Sequence, residues 1–415
     1  MSSDSLPTTS TTHHCCVCGK PSSLRCSRCL GAQYCDVTCQ RKDWKSHKEA
    51  CKRAEGFKKS IERIYGPQTT VEDVDEKIVE YRRESELGDS VALFNLGVAY
   101  DTGMGVAKDH VEAIKLFKRS ADLGYVDAQY NLGVAYKNGH GVNQDNVEAL
   151  KWWRKAAEAG DSKSQYSLGS ALYVGNGVEK DYAESFKWFL EASKSGHLES
   201  IYFVGVSYDK GFGVSIDKGK AFSYFKKAAE LGHTNAQYIL AILFERGHGC
   251  DIDLVSAFTW FKCAADQGHV ESIFLLGQCY DFGLGVAIDE SAAFEYYKRA
   301  AEAGNVNAQF NVGICYFNGT GVTVDEVEGV KWYKKAAESG DAKASCNLAH
   351  ALKDGDGVAI DFVESSKWFK VAAEAGDAEA QWYLSKAYRN GEGVAINDDE
   401  ADRWEKLALQ GGYPN

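Results

Sequence analysis

The chain has 415 residues, enough for two or three ordinary domains, and its 44% hydrophobic and 26% charged content is that of a soluble globular protein. The formal charge of −12 is uneven: residues 1–53 carry nine Lys and Arg against four acids, so the rest carries −17. An acidic body of that size repels phosphate, which excludes nucleic acid as an expected partner, and no apolar run is long enough to span a bilayer, which excludes a membrane.

Residues 1–12 are rich in Ser and Thr, with no charged start followed by an apolar core. They read as a disordered lead-in and not as a secretory signal. Thirteen cysteines follow, eight of them between Cys15 and Cys51 and five scattered from Cys250 to Cys346. A secreted disulfide protein spreads its cysteines over the whole fold; clustering at one end indicates metal binding in a reducing, intracellular compartment, cytoplasmic and/or nuclear.

Four ligand pairs are spaced for this: Cys15-x2-Cys18, Cys26-x2-Cys29, Cys35-x3-Cys39 and His47-x3-Cys51. A two-residue gap turns two thiolates toward one ion, and a three-residue gap on a helix puts both donors on one face. Closed zinc sites take four such ligands, so eight imply two structural Zn2+ ions. Cys15 supplies the two-residue gap, and Cys16 is left as a free thiol. A DNA-reading finger needs about twelve residues between its second Cys and first His; Cys39 and His47 are separated by seven.

The whole pattern, with Gln40 and the Asp43-Trp44 pair inside it, resembles the MYND zinc finger over Cys15 to Cys51. The resemblance implies interleaved zinc sites: Cys15, Cys18, Cys35 and Cys39 on one ion, Cys26, Cys29, His47 and Cys51 on the other. It also implies that Ser27, Gln40 and Trp44 grip a short proline-containing peptide. Trp44 stands three residues before His47 on a predicted helix, where an aromatic can equally cover the zinc site. The finger is placed at 13–53 and a linker at 54–72.

Beyond it a glycine recurs at every thirty-sixth residue from Gly88 to Gly412. Each interval reads as two helices. The first carries a small residue, a Leu or Val four residues on, and mostly an aromatic four further, as in Ala128, Leu132 and Tyr136. The second carries Ala149, Trp152 and the pair Ala156-Ala157, or their equivalents, small residues allowing close helix approach while large rings fill the space between units. A G-x-G-V turn such as Gly139–Val142 joins them, and an Asp three residues after the Val is a predicted N-cap. The pattern DVDEKIVEYRRESELG at 73–88 matches a second helix alone and predicts an N-terminal capping half-unit.

This template resembles the Sel1-like repeat, a relative of the tetratricopeptide repeat, over residues 89–412. The expected fold class is all-α: a right-handed α-solenoid of nine 36-residue helix-turn-helix repeats headed by a small two-zinc finger. No catalytic motif stands out. Ser215-x-x-Lys218 lacks its companion motifs. His197, His233 and His269 fall on successive units roughly 10 Å apart by helix packing, too distant for one ion, and read as turn residues.

The expected function is therefore a non-enzymatic scaffold or adaptor, binding proteins or peptides through the finger and through the concave face of the repeats. A component of a ubiquitin-ligase or quality-control complex is the alternative. By analogy with the tetratricopeptide repeat, the first helices line that face. An aromatic column there (Phe94, Tyr130, Tyr202 and equivalents) reads as packing. The more variable column holding Asp209, Glu245 and Asp281 is the place for specificity, and its acidic run predicts a basic segment of partner.

Overall fold

A computed structural model describes Leu24–Arg25, Gln33–Tyr34 and residues 71–413, with side chains from Val74 onward. Among these residues lie nineteen helices and one antiparallel pair of two-residue strands, β1 (Leu24–Arg25) and β2 (Gln33–Tyr34), with Leu24 opposite Tyr34 and Arg25 opposite Gln33. In sequence, β1 ends directly before Cys26 and β2 directly before Cys35.

The first helix, Val71–Glu86, has 16 residues; the eighteen that follow, from Ser90–Thr102 to Asp398–Gln410, have 13 each. One interval shows why the ends fall where they do. The helix Val126–Asn138 stops at Gly139, whose left-handed backbone (φ 72°) lets its N–H return to Ala135 O at 2.8 Å. The chain then reaches Asp145, whose N–H donates to Tyr136 O at 2.9 Å and whose carboxylate accepts from Glu148 N at 3.0 Å. The same Asp thus closes the turn and caps the helix Asn146–Glu158. In the N-terminal half-unit Asp73 lies inside the first turn of Val71–Glu86 instead of preceding it.

The chain divides into two compact units at Lys180/Asp181, between the two helices of the third interval. In the first unit, Val74 and Ile78 of the opening helix pack with Leu93, Leu96, Met104 and Leu116, so the half-unit covers the apolar side of the first pair. The next cluster joins Phe117 and Ala121 of one pair to Leu132 and Trp152 of the following pair. In the second unit Trp332 packs with Ala300, Ala301, Ala308 and Val312, and Trp404 with Ala372, Ala373, Ala380 and Leu384. Each of these tryptophans lies across the small-residue pair of the preceding interval, the inter-unit filling expected from the sequence. Truncating one to Ala removes about 3–5 kcal/mol of packing.

A further column joins successive helices by hydrogen bonds. Buried Gln129, Gln165, Gln237, Gln309 and Gln381 each donate a side-chain N–H to the carbonyl eight residues earlier, at 3.1–3.3 Å. Those carbonyls belong to the last turn of the preceding helix and also accept the N–H of the glycine three residues on, so the Gln adds a second bond at the helix end.

Candidate functional site

The predicted zinc ligands, and Ser27, Gln40 and Trp44, lie outside the described residues. Their donor chemistry is that of a zinc site: seven thiols and one imidazole in closely spaced pairs, with no carboxylate among them.

On the repeats, the aromatic column is clamped. Phe94 lies 5.6 Å from Phe117, the ring of its own second helix, and 5.1 Å from Tyr125 of the next pair. Tyr202 and Tyr238 stand between Phe225 or Phe261 on one side and His233 or His269 on the other, the histidine centroids at 4.4 and 4.6 Å. These rings are structural on one face and half-exposed on the other.

Those histidines hold a role the sequence pattern hid. His197, His233 and His269 are N-caps of the first helices of three consecutive pairs, the ring Nδ1 accepting from the N–H of Ser200, Ala236 and Ser272. Asp89, Asp161, Asn305, Asp341 and Asp377 do the same at this position in other pairs. Burial holds His233 and His269 below the ordinary imidazole value, against the opposing pull of nearby Glu199 and Glu271, so the rings stay neutral and able to accept.

The three acids of the variable column sit in the last turn of their helices, and each already has a partner. Asp209 takes Lys218 Nζ at 2.8 Å and Lys210 Nζ at 3.0 Å. Partial burial pushes its carboxyl up, but the hydrogen bonds from Lys218 and Lys210 outweigh this and hold it below the usual range. Asp281 accepts from Tyr297 Oη at 2.9 Å. Glu245 has only a loose contact with its neighbour, 3.9 Å to Arg246 Nε. In the first unit the equivalent Asp101 pairs with His110 at 2.6 Å. Burial pushes the Cys279 thiol up to about 12 and the Cys315 thiol up to about 11, leaving both protonated at neutral pH; burial, with the nearby Asp377 and Glu379 carboxylates, pushes the Cys346 thiol up as well.

The family model for the Sel1 repeat matches nine consecutive segments, from 90–125 to 378–413. The chain belongs to the Sel1 repeat family. A MYND finger matches residues 15–51, so this Sel1 repeat protein carries an N-terminal zinc finger of that family. Among solved structures it resembles a protective antigen of uropathogenic Escherichia coli displaying an SLR fold, at 30% identity and a TM-score of 0.74, over 92% of this chain and 83% of the other. It also resembles a Sel1 repeat protein from Oxalobacter formigenes, at 31% identity and a TM-score of 0.60, over 74% and 90%. The fold is therefore an all-helical Sel1 repeat solenoid.

Similarity to curated proteins is shorter. The Tudor domain-containing protein 1 of Oryzias latipes is 48% identical over 42 residues, 10% of this chain and 4% of that protein. Both module types mediate protein–protein interaction, and the zinc-finger family implies zinc binding.

Proposed function

We propose that this Sel1 repeat protein is a non-enzymatic intracellular adaptor that brings together two peptide-bearing partners. The supporting observation is the joining of two interaction modules in one chain, a MYND finger at 15–51 and nine Sel1 repeats over 90–413. The finger holds two zinc ions, one on Cys15, Cys18, Cys35 and Cys39 and one on Cys26, Cys29, His47 and Cys51, and takes a proline-containing peptide on Ser27, Gln40 and Trp44. Two modest sites on one chain raise apparent affinity by effective concentration.

The repeats take a basic segment over Asp209, Glu245 and Asp281. Internal partners set a condition on this. An incoming Lys or Arg competes with Lys218 for Asp209, whereas Glu245 is the least committed of the three. Binding should weaken with salt, because these acids are at the solvent boundary.

The test is anisotropy of labelled peptides on the full chain. A Lys/Arg-rich peptide should lose at least tenfold affinity on combined Asp209→Asn, Glu245→Gln and Asp281→Asn, where the amides remove charge but keep an acceptor for Tyr297. A proline-containing peptide should lose binding on Trp44→Ala alone. Indifference of the first peptide to the triple variant refutes the repeat site, and indifference of the second to Trp44→Ala refutes the finger site.

A further inference from the structure

We propose that Cys346, His350 and Glu379 form a metal site separate from the finger, holding one zinc-type divalent cation between the eighth and ninth repeats. Cys346 and His350 lie one turn apart on Ala342–Asp354, the first helix of the eighth repeat. Glu379 lies in the first turn of Ala378–Asn390, the first helix of the ninth. One donor atom from each, a thiol sulfur, a ring nitrogen and a carboxylate oxygen, stand within 4.8 Å of one another. Zinc binds sulfur at about 2.3 Å and nitrogen at about 2.0–2.1 Å, so two donors of one ion stand roughly 3–4 Å apart. Small side-chain rotations bring the three into that range.

Three observations favour a ligand here over packing alone. His350 Nε2 is buried without a hydrogen-bond partner, although a Glu379 oxygen lies 3.4 Å away. Its ring is already oriented, edge-on to Phe369 at 5.0 Å and to Tyr383 at 4.5 Å, so little freedom is lost when an ion arrives. The repeats also supply an internal control. The Cys346 position holds an aromatic ring in every other repeat, as in Phe310 and Trp382, and the His350 position holds no other histidine, as in Ile314 and Lys386. The one repeat that drops its ring gains an imidazole one turn later. Packing explains a ring placed in the vacated space. It does not explain a buried ring nitrogen that meets a carboxylate oxygen at 3.4 Å outside hydrogen-bond geometry.

Exposure is graded as a metal entry route requires. Cys346 is 3% exposed, and the side chains of His350 and Glu379 are 24% and 47% exposed. On binding, the Cys346 thiol gives its proton to water as the sulfur–metal bond forms, and neutral His350 supplies its lone pair. With the Glu379 carboxylate, the two negative charges balance a divalent ion. Zinc takes four ligands, so a fourth position is left for water. Thiolate, imidazole and carboxylate together suit zinc, and cobalt as its spectroscopic substitute. Such an ion staples two consecutive first helices.

The test uses the full chain with its finger loaded with zinc, titrated with Co2+ and compared with the same chain carrying Cys346→Ser, so that any exchange in the finger cancels in the difference. The expected result is one extra equivalent of cobalt with thiolate-to-cobalt charge-transfer absorption, absent in Cys346→Ser. Glu379→Gln, a half-exposed position that leaves the core intact, should weaken that equivalent at least tenfold and decides the matter if Cys346→Ser does not fold. No thiolate–cobalt absorption in the wild-type difference, or an unchanged affinity in Glu379→Gln, overturns the site. Neither result depends on the adaptor reading, which is tested by peptide binding.

Discussion

Two glycines in the same repeat look equivalent in sequence and are not equivalent in space. Gly141 lies in the turn between the helices of one repeat, and Gly160 in the turn that leads to the next. Both have positive φ, 71° and 96°. At Gly160 an added Cβ would meet nothing within 4 Å; at Gly141 it would meet the carbonyl oxygen of His110 at 2.3 Å, on the preceding repeat. The turn between repeats needs glycine for its backbone conformation alone. The turn within a repeat needs it also because the backbone of the neighbouring repeat lies against it. The G-x-G motif is thus a repeat-to-repeat contact as well as a turn, and a chain that repeats it in every unit is selecting a stacking distance.

The largest effect expected from this difference is at Gly141. Gly141→Ala should cost about 3 kcal/mol or more, combining left-handed strain of about 1–2 kcal/mol with a clash against backbone that cannot rotate away. Gly160→Ala should cost only the first part, about 1–2 kcal/mol. Urea midpoints of the helical circular-dichroism signal, at constant slope, read both; equal losses would break the comparison.

A smaller effect sharpens it. Gly133 has ordinary helical backbone, but a Cβ there would stand 2.2 Å from Trp153 Nε1. The obstacle is a side chain, and Ala241 and Ala349 occupy the same column opposite Phe261 and Phe369. Gly133→Ala should therefore cost about 1–2 kcal/mol, less than Gly141→Ala, because a ring can shift where a carbonyl cannot. A loss equal to that of Gly141→Ala would mean that ring and backbone yield equally.

The smallest effect concerns pH. His233 and His269 are held below the ordinary value of 6.5, chiefly by burial, so near that pH the unfolded chain binds more protons than the folded one. Their contribution is fully present above about pH 6.5 and is lost as pH falls through that value toward the depressed folded values. Protonation also removes the acceptor for Ala236 N–H and Ser272 N–H and places positive charge at two helix N-termini. Replacing both by Asn, the cap used at Asn305, should flatten the stability difference between pH 7.5 and pH 5.5. An unchanged slope would remove the caps from the account.

Much of this was readable in the chain because the chemistry is local. The cysteine and histidine pairs of the finger are separated by only two or three residues, which is enough to match a family pattern, and helix faces and caps recur at fixed offsets, so one unit predicts the next. The first-helix caps were missed because Asp, Asn and His share that column with an uncapped Tyr125; only the backbone geometry shows one role filled by several residue types. Asp209 and Asp281 read only as sites for a basic partner because their internal partners, Lys218 and Tyr297, lie nine and sixteen residues away. The Cys346–His350–Glu379 group was invisible for the same reason: its members come from two repeats and meet only after stacking. Periodicity reports what every unit shares and is silent on what one unit does alone.

The central claim is that finger and repeats recruit different partners. Quantitative affinity capture with the intact chain, with Cys26→Ser in the finger, and with the Asp209, Glu245 and Asp281 amide variant in the repeats tests it directly. The account predicts two distinct sets of lost proteins, one for each variant, with both retained by the intact chain. A bound set that neither variant alters, or the same set lost in both, would contradict it.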